Sequence, residues 1–427
     1  MLARVAPAQD YRSHTDEQNY QEERVRNKKL AIAGISLLAA TFSLTACGSR
    51  AAEAPGGGTS TAVKTAKIGV IAPLSGDLSA LGLGIQHSVE LAVKQANDKK
   101  TIPGWTLEVA PQDDQGLPDP GKNAATKLAG DEEVVGVVGT LNSSVAQSVQ
   151  PVLNSANIAM ISPANTNPTL TKGADPATPK RPYASYFRTC TTDDVQGPFA
   201  AKYLLDTGVK SVATIHDKKT YGQGLVAAFT TAFESGGGKV VDAETINPED
   251  KDYSSVISKV KGASPKAVYY GGEFPQAAPL SQQMKAAGLN VPLMGGDGIK
   301  SEKYFALAGS TATGDLSTSV GAPPETLASA KQFLTDYAAG GYSDPYEAYG
   351  AYAYDAANAI IEGMKVSLAS APDAQSARQA TVDAIGKVSF SGATGEVSFD
   401  EYGDATAKVL TVYKVEGDKW VAAKTGS

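Results

Sequence analysis

The sequence predicts an α/β protein with two similar lobes, each built around a parallel-rich sheet. Short apolar runs alternate with helical patterns from Lys67 onward, and the same alternation starts again after Pro198. Of the 427 residues, 42% are apolar and 19% are charged. A chain of this length and composition has enough apolar side chains for two cores.

In the first half, apolar runs are predicted as strands and the segments between them as helices. The predicted strands are 67–71, 105–110, 134–138 and 158–161, and the predicted helices are 85–98 and 123–128. Residues 116–123 contain two glycines and a lysine at the spacing of a phosphate-binding loop. However, Pro118 and Pro120 remove backbone N–H groups that such a loop needs. A turn before the helix is therefore predicted there.

The second half repeats the pattern. The predicted strands are 211–215, 239–245, 267–270 and 291–294, followed by a helical stretch at 346–369 and two alternating runs within 395–421. The segment 172–182 contains three prolines, so we predict that it runs over the surface towards the junction between the lobes.

The first 46 residues predict a secretory signal peptide. Four basic residues from Arg24 to Lys29 precede an apolar run at 30–42, which is too short to span a bilayer. Residues 44–47, Leu-Thr-Ala-Cys, resemble a bacterial lipobox, which implies a lipid on Cys47 and an extracytoplasmic position on the cell membrane. Residues 47–66 are predicted as a flexible tether. Because residues 1–23 are hydrophilic, we expect Val25 rather than Met1 to be the true start.

Charge and residue usage exclude several classes of function. Without residues 1–46 the chain keeps 32 basic and 40 acidic residues, a net charge of −8, which makes nucleic acid an unlikely partner. Cys190 is the one cysteine besides Cys47, so we predict a buried, inert thiol and no intramolecular disulfide. His87 and His216 show no metal-ligand spacing, and no nucleophile–base motif is present. The sequence therefore predicts no enzyme, no metal and no cofactor.

Polar loops after predicted strands are candidates for a ligand site, because ligands bind beyond the carboxyl ends of strands in open parallel sheets. Ser143 follows one strand at the start of a predicted helix, where free backbone N–H groups attract a carboxylate. Thr166 lies in the loop after the next strand, and Asp297 lies among glycines in the second half. These loops suit a zwitterion, although Ser143 as a helix cap and Asp297 as a turn residue are the structural alternatives.

Six short motifs carry a resemblance to a known family. They are Ile-Gly-Val-Ile-Ala-Pro-Leu-Ser-Gly at 68–76, Asp-Asp-Gln at 113–115, Gln-Gly-Pro at 196–198, His-Asp-Lys at 216–218, Tyr-Gly-Gln-Gly at 221–224 and Tyr-Tyr-Gly-Gly at 269–272. In their order and spacing, over about residues 67–421, they resemble the leucine/isoleucine/valine-binding proteins of bacterial ABC transporters.

The resemblance implies a type I periplasmic binding protein, with two Rossmann-like lobes joined by three crossovers and closing on the ligand like a flytrap. Lobe 1 is then expected at 67–188 and 320–404, and lobe 2 at 189–319 and 405–427. The expected function is to capture an amino acid, branched-chain by resemblance, and to deliver it as a monomer to an ABC permease. A sensory receptor of the same fold is the alternative.

The resemblance also implies the contacts of the ligand. Ser143, Ala164 and Thr166 are expected to hold its carboxylate and ammonium from lobe 1, Asp297 and Tyr221 to close from lobe 2, and Tyr346 to line the side-chain pocket.

Two positions depart from the family pattern. Leu81 and Glu273 stand where aromatic residues are common. Glu273 either favours a polar or cationic amino acid, an amide or urea, or points into solvent. The tyrosines at 346, 349, 352 and 354 form a dense cluster, from which a ring at the lobe interface could contact the ligand.

Overall fold

The computed structural model of the protein describes residues 63–427, which belong to one compact unit. The predicted signal peptide, Cys47 and the tether up to residue 62 lie outside the described residues. In the part that is described, no helix is both long enough and apolar enough to span a membrane.

The first stretch alternates strands with helices. Its elements are β1 (Lys64–Ala72), α1 (Ser79–Asp98), β2 (Trp105–Asp113), α2 (Pro118–Gly130), β3 (Val134–Gly139), α3 (Ser143–Ser155), β4 (Ala159–Ser162), α4 (Thr169–Lys172) and β5 (Tyr186–Arg188). The five strands form a parallel sheet in the order β2-β1-β3-β4-β5. We call the elements around this sheet the first lobe.

The central strand β3 shows why this segment forms a buried parallel sheet. All six of its residues are buried, because helices cover both faces of the sheet. Val137 packs in a cluster with α2 and α3, and Val138 in one with α1 and a later helix, α11 (Gly350–Ser367). Gly136 lets α11 approach closely, since a Cβ there would lie 2.7 Å from Ile360.

The second stretch repeats the alternation around a second sheet. Its elements are α5 (Asp193–Asp206), β6 (Ser211–His216), α6 (Thr220–Ser235), β7 (Lys239–Thr245), α7 (Ser254–Gly262), β8 (Ala267–Gly271), α8 (Phe274–Ala286), β9 (Leu293–Gly295), α9 (Lys303–Ala308) and β10 (Leu316–Ser319). Strands β10-β9-β8-β6-β7 are parallel neighbours in that order. We call the elements around this sheet the second lobe.

The last stretch contributes to both lobes. It contains α10 (Lys331–Ala339), α11, α12 (Arg378–Ile385), the hairpin β11 (Ser389–Gly392) and β12 (Gly395–Ser398), and the strands β13 (Leu410–Glu416) and β14 (Lys419–Gly426). Helices α11 and α12 pack on the first sheet, whereas β13 and β14 add two antiparallel strands to the edge of the second. The chain therefore crosses between the lobes after β5, after β10 and after β12. The predicted fold class is confirmed.

Some predicted boundaries are wrong. Helix α2 begins at Pro118 rather than at residue 123, because proline is tolerated in a first turn, whose N–H groups have no partner within the helix. β1 begins at Lys64, inside the predicted tether. The predicted helix at 346–369 begins at Gly350, and the end of the chain forms three strands rather than two runs.

Candidate ligand-binding site

A narrow cavity lies where the carboxyl ends of the two sheets face each other. The first lobe lines it through α1 and through the loops that follow β3 and β4, and the second lobe through the loops that follow β8 and β9. The predicted site residues in its wall are Leu81, Ser143, Ala164, Tyr221, Glu273 and Asp297. The other wall residues are Leu141, Asn142, Gly298 and Tyr349.

Two predicted residues do not line the cavity. Thr166 is fully buried two residues beyond Ala164, and its carbonyl accepts a hydrogen bond from the Asp193 N–H at 2.8 Å. Tyr346 lies elsewhere: its ring packs against Phe333 and its hydroxyl contacts Glu325.

Tyr349 is the tyrosine that reaches the cavity in place of Tyr346. Its hydroxyl donates to Asp297 Oδ2 at 2.9 Å, which joins the first lobe to the second. The dense tyrosine cluster was the signal for such a ring. Helical spacing could not show which tyrosine reaches the cavity, because Tyr346 and Tyr349 both precede helix α11, which begins at Gly350.

Asp297 presents a buried carboxylate with three neutral donors. Oδ1 accepts hydrogen bonds from the Tyr221 hydroxyl at 2.7 Å and from Gln196 Nε2 at 2.9 Å, and Oδ2 accepts the one from Tyr349. Burial raises the pKa of Asp297, while these three bonds act in the opposite direction. Between residues 63 and 427 no lysine or arginine forms an ion pair with it. The site therefore lacks a cation at this point.

Gln196 on α5 holds Asp297 in position, and sequence reasoning did not identify it as a site residue. Its Oε1 accepts the Asp297 N–H at 2.9 Å and the Thr318 hydroxyl at 2.6 Å, while its Nε2 donates to the carboxylate. One side chain thus fixes both the backbone and the carboxylate of Asp297. The Gln-Gly-Pro motif at 196–198 was the available signal.

Arg188 holds the loop that follows β4 in place. This fully buried side chain donates through Nη1 to the carbonyls of Asn165 at 2.6 Å and Asn167 at 3.0 Å. Its Nε lies 2.7 Å from Asp404 Oδ1, so the buried charge is paired. The position of Ala164 in the cavity wall therefore depends on an ion pair behind it.

The start of α3 offers a place for an anion. Ser143 is the first residue of this helix and lies in the cavity wall. The first N–H groups of a helix have no partner within it and carry partial positive charge, so they attract a carboxylate.

Glu273 does not point into solvent, so that part of the expectation is wrong. The residue is 4% exposed, because the first lobe covers it. Its Oε1 accepts a hydrogen bond from Asn142 Nδ2 at 2.6 Å, and its Oε2 lies 3.0 Å from Lys219 Nζ. Burial, and then the charge of Glu273, raise the pKa of nearby Asp217 to about 8.

The geometry suits a small zwitterion. A helix N-terminus lies on the first lobe, an unpaired carboxylate lies on the second, and Leu81 and Leu141 supply apolar wall between the lobes.

Cys190 is fully buried, and burial raises the pKa of its thiol, as predicted for an inert cysteine.

Comparison with known proteins identifies the family. The periplasmic binding protein family model matches residues 65–419. A Leu/Ile/Val-binding protein of Rhizobium johnstonii is 34% identical over 361 residues, which cover 84% of this chain and 93% of the relative.

Two solved structures share the fold over nearly their whole length. A leucine binding protein from Thermotoga maritima has a TM-score of 0.75 at 26% identity, covering 84% of this chain and 98% of that chain. A branched-chain amino acid transporter substrate binding protein from Streptococcus pneumoniae, in complex with isoleucine, has a TM-score of 0.76 at 27% identity, covering 85% and 99%. The chain therefore belongs to the periplasmic binding protein family, in its Leu/Ile/Val-binding group, and has the type I fold.

Proposed function

We propose that the protein captures a branched-chain amino acid between its lobes and delivers it to an ABC permease. The carboxylate of Asp297 carries this proposal, because it is buried, accepts three bonds from neutral donors and lacks a cation. The ammonium of an amino acid is such a cation. The leucine, isoleucine and valine in the names of the relatives, and the isoleucine in the Streptococcus pneumoniae complex, support the choice of side chain.

In this proposal the two lobes divide the ligand between them. Ser143 and the loop that carries Ala164 hold the carboxylate and take part in binding the ammonium. Thr166 lies behind the wall and supports this loop, since its carbonyl accepts the Asp193 N–H. Asp297 and Tyr221 hold the ammonium from the second lobe. Tyr346 is left out because its ring packs against Phe333, and Tyr349 takes its place.

The side chain of the ligand lies against Leu81 and Leu141. Glu273 is a weak partner for a polar or cationic ligand, since Asn142 and Lys219 already occupy its two oxygens. An apolar pocket distinguishes ligands that differ by one methylene by only about 1–3 kcal/mol. The proposal therefore includes leucine, isoleucine and valine together.

The mechanism is binding without turnover. The first lobe comprises residues 64–188 and 320–404, and the second lobe comprises 189–319 and 405–427. A ligand that contacts both lobes binds the closed form more tightly than the open form and shifts the population towards it. The permease then recognises the closed monomer. A sensory receptor would use the same shift with a different partner.

The location follows from the start of the chain. Residues 1–46 act as a signal peptide with an N-terminal extension, Cys47 receives a lipid, and the tether places the folded unit outside the cytoplasm. Globomycin, which blocks lipoprotein signal peptidase, should cause the precursor to accumulate. A Cys47→Ser variant should lose the lipid and leave the membrane fraction. A Cys47→Ser variant that stays as firmly attached as wild type would contradict the anchor.

Calorimetric titration tests the ligand class directly. The chain from residue 60 onward, which forms one compact unit, is titrated with leucine, isoleucine, valine, glutamine, lysine and urea. We expect heat of binding with the first three. If only glutamine, lysine or urea binds, the branched-chain proposal is rejected and Glu273 becomes a candidate ligand contact again.

A further inference from the structure

Two hydrogen bonds join the lobes inside the cavity, one from Tyr349 to Asp297 and a shorter one from Asn142 to Glu273. Asn142 precedes α3 in the first lobe, and Glu273 precedes α8 in the second. Asn142 Nδ2 donates to Glu273 Oε1 at 2.6 Å, and the two residues are 3% and 4% exposed. Both also form part of the cavity wall.

The second lobe holds Glu273 in place for this contact. Lys219 Nζ lies 3.0 Å from Glu273 Oε2 and 4.0 Å from Asp217 Oδ2. The ammonium therefore fixes one carboxylate oxygen of Glu273 within its own lobe, and the other oxygen points towards Asn142.

Apart from the buried bond between Tyr349 and Asp297, further polar contacts between the lobes are longer or closer to solvent. Thr220 accepts a hydrogen bond from Asn167 at 2.9 Å and donates one to Gln147 at 3.0 Å, both at the partly exposed rim. Ser301 donates to Glu347 at 3.3 Å. Water competes for exposed bonds, so they contribute little to closure, whereas a buried bond to a charged group contributes more.

We propose that Asn142 and Glu273 form a latch across the binding cavity, which stabilises the closed state together with the ligand. In the open state water solvates Glu273 Oε1. Closure removes that water, and a buried carboxylate oxygen without a partner costs free energy. Asn142 supplies the partner only when the lobes meet. The latch rests on the proposed function, because it assumes lobes that open and close.

The Asn142→Asp variant tests the latch. It places a second carboxylate against Glu273 and removes the donor, so closure brings like charges together. We expect the ligand-free variant to have a larger radius of gyration than wild type by small-angle X-ray scattering. We also expect its affinity for leucine to fall roughly ten-fold to a hundred-fold, the range for a lost hydrogen bond to a charged group.

Two further variants separate the latch from a general loss of structure. Asn123→Asp makes the same change at an exposed position of α2 and should match wild type. Asn142→Asp combined with Glu273→Gln exchanges the carboxylate and the amide, and keeps the net charge. The amide at 273 then donates to the carboxylate at 142, so the double variant should regain a compact form and most of the affinity. Non-specific damage from Asn142→Asp would not be reversed in this way.

The outcomes are distinguishable from failure of the proposed function. The latch is overturned if Asn142→Asp matches wild type in radius of gyration and leucine affinity, or if the exchange in the double variant restores neither. If wild type binds none of the amino acids tested, the proposed function fails. The scattering comparison of the ligand-free proteins then still decides whether Asn142 and Glu273 hold the lobes together.

Discussion

At the scale of single residues, Asp297 has the most specific expected role, because its partners leave its charge unmatched. Asp297→Asn keeps the size of the side chain and removes the charge. We expect leucine to bind at least about ten-fold more weakly, since a hydrogen bond to a charged group contributes about 1.5–3 kcal/mol. Calorimetric titration measures the change.

The control for this variant uses both protein and ligand. Asp418→Asn removes a carboxylate from the exposed turn between β13 and β14 and should leave affinity unchanged. The ligand 4-methylpentanoate has the carbon skeleton of leucine without the ammonium. Wild type should prefer leucine strongly, and Asp297→Asn should lose most of that preference. An unchanged preference would remove Asp297 from the ammonium site.

The raised pKa of Asp114 predicts that the free energy of unfolding depends on pH. Burial raises its pKa from the usual 3.8 to about 7, and its Oδ1 accepts the Gly116 N–H at 2.8 Å. The folded state therefore binds the proton more tightly than the unfolded state. This contribution to stability is complete below about pH 4 and is lost as the pH rises through about 7.

Asp114→Asn should remove this contribution, because an amide does not titrate and still offers an oxygen to Gly116. Thermal unfolding of both proteins at pH 5, 6, 7 and 8 measures it. The melting temperature of the variant relative to wild type should increase with pH. Asp217 and Asp355, whose pKa values are also raised, remain in both proteins and cancel in the difference. Parallel curves for the two proteins would contradict the prediction.

For single residues, the position in the cavity was easiest to anticipate where a loop has only one suitable side chain. Asp297 is the one ionisable residue in its glycine-rich loop, and the cavity contains it. Glu273 was harder to judge, because its burial depends on Asn142, which is 131 positions away and belongs to the other lobe. No local pattern indicates such a contact.

At the scale of elements, the loop between β4 and α4 depends on Arg188. Arg188→Lys keeps a positive charge near Asp404 but loses the planar group that reaches several oxygens at once. We expect lower thermal stability and faster hydrogen–deuterium exchange of the amides at 163–171. Arg181→Lys is the matched control, since Arg181 also donates to backbone carbonyls, those of Ala184, Tyr186 and Glu401. Equal exchange in both variants would show that Arg188 does not hold the loop.

The strands were easier to predict than the ends of the helices. β3 and β8 are apolar throughout because both of their faces are buried, and such runs stand out in any sequence. The start of α2 was misjudged because a proline is equally compatible with a turn and with a first helical position. The division of the last segment into β12, β13 and β14 depends on pairing with β11 and β10, which a local pattern does not contain.

At the scale of the whole molecule, the three crossovers allow the two sheets to act as one binding unit. Residues from both sheets meet at Asp297, where Tyr349 of the first lobe donates to a carboxylate of the second. A ligand held at this junction contacts both lobes. Its binding free energy is therefore available to stabilise both of them against unfolding.

This predicts a single unfolding transition that moves as a whole. Leucine at 100 times its dissociation constant should stabilise the chain from residue 60 onward by about 2.7 kcal/mol. Differential scanning calorimetry should then show one peak shifted to higher temperature, because loss of either lobe destroys the site. Asp297→Asn at the same leucine concentration should show a smaller shift. A peak that splits, with only one part moving, would mean that the ligand binds a single lobe, and closure around it could not be the signal that a permease recognises.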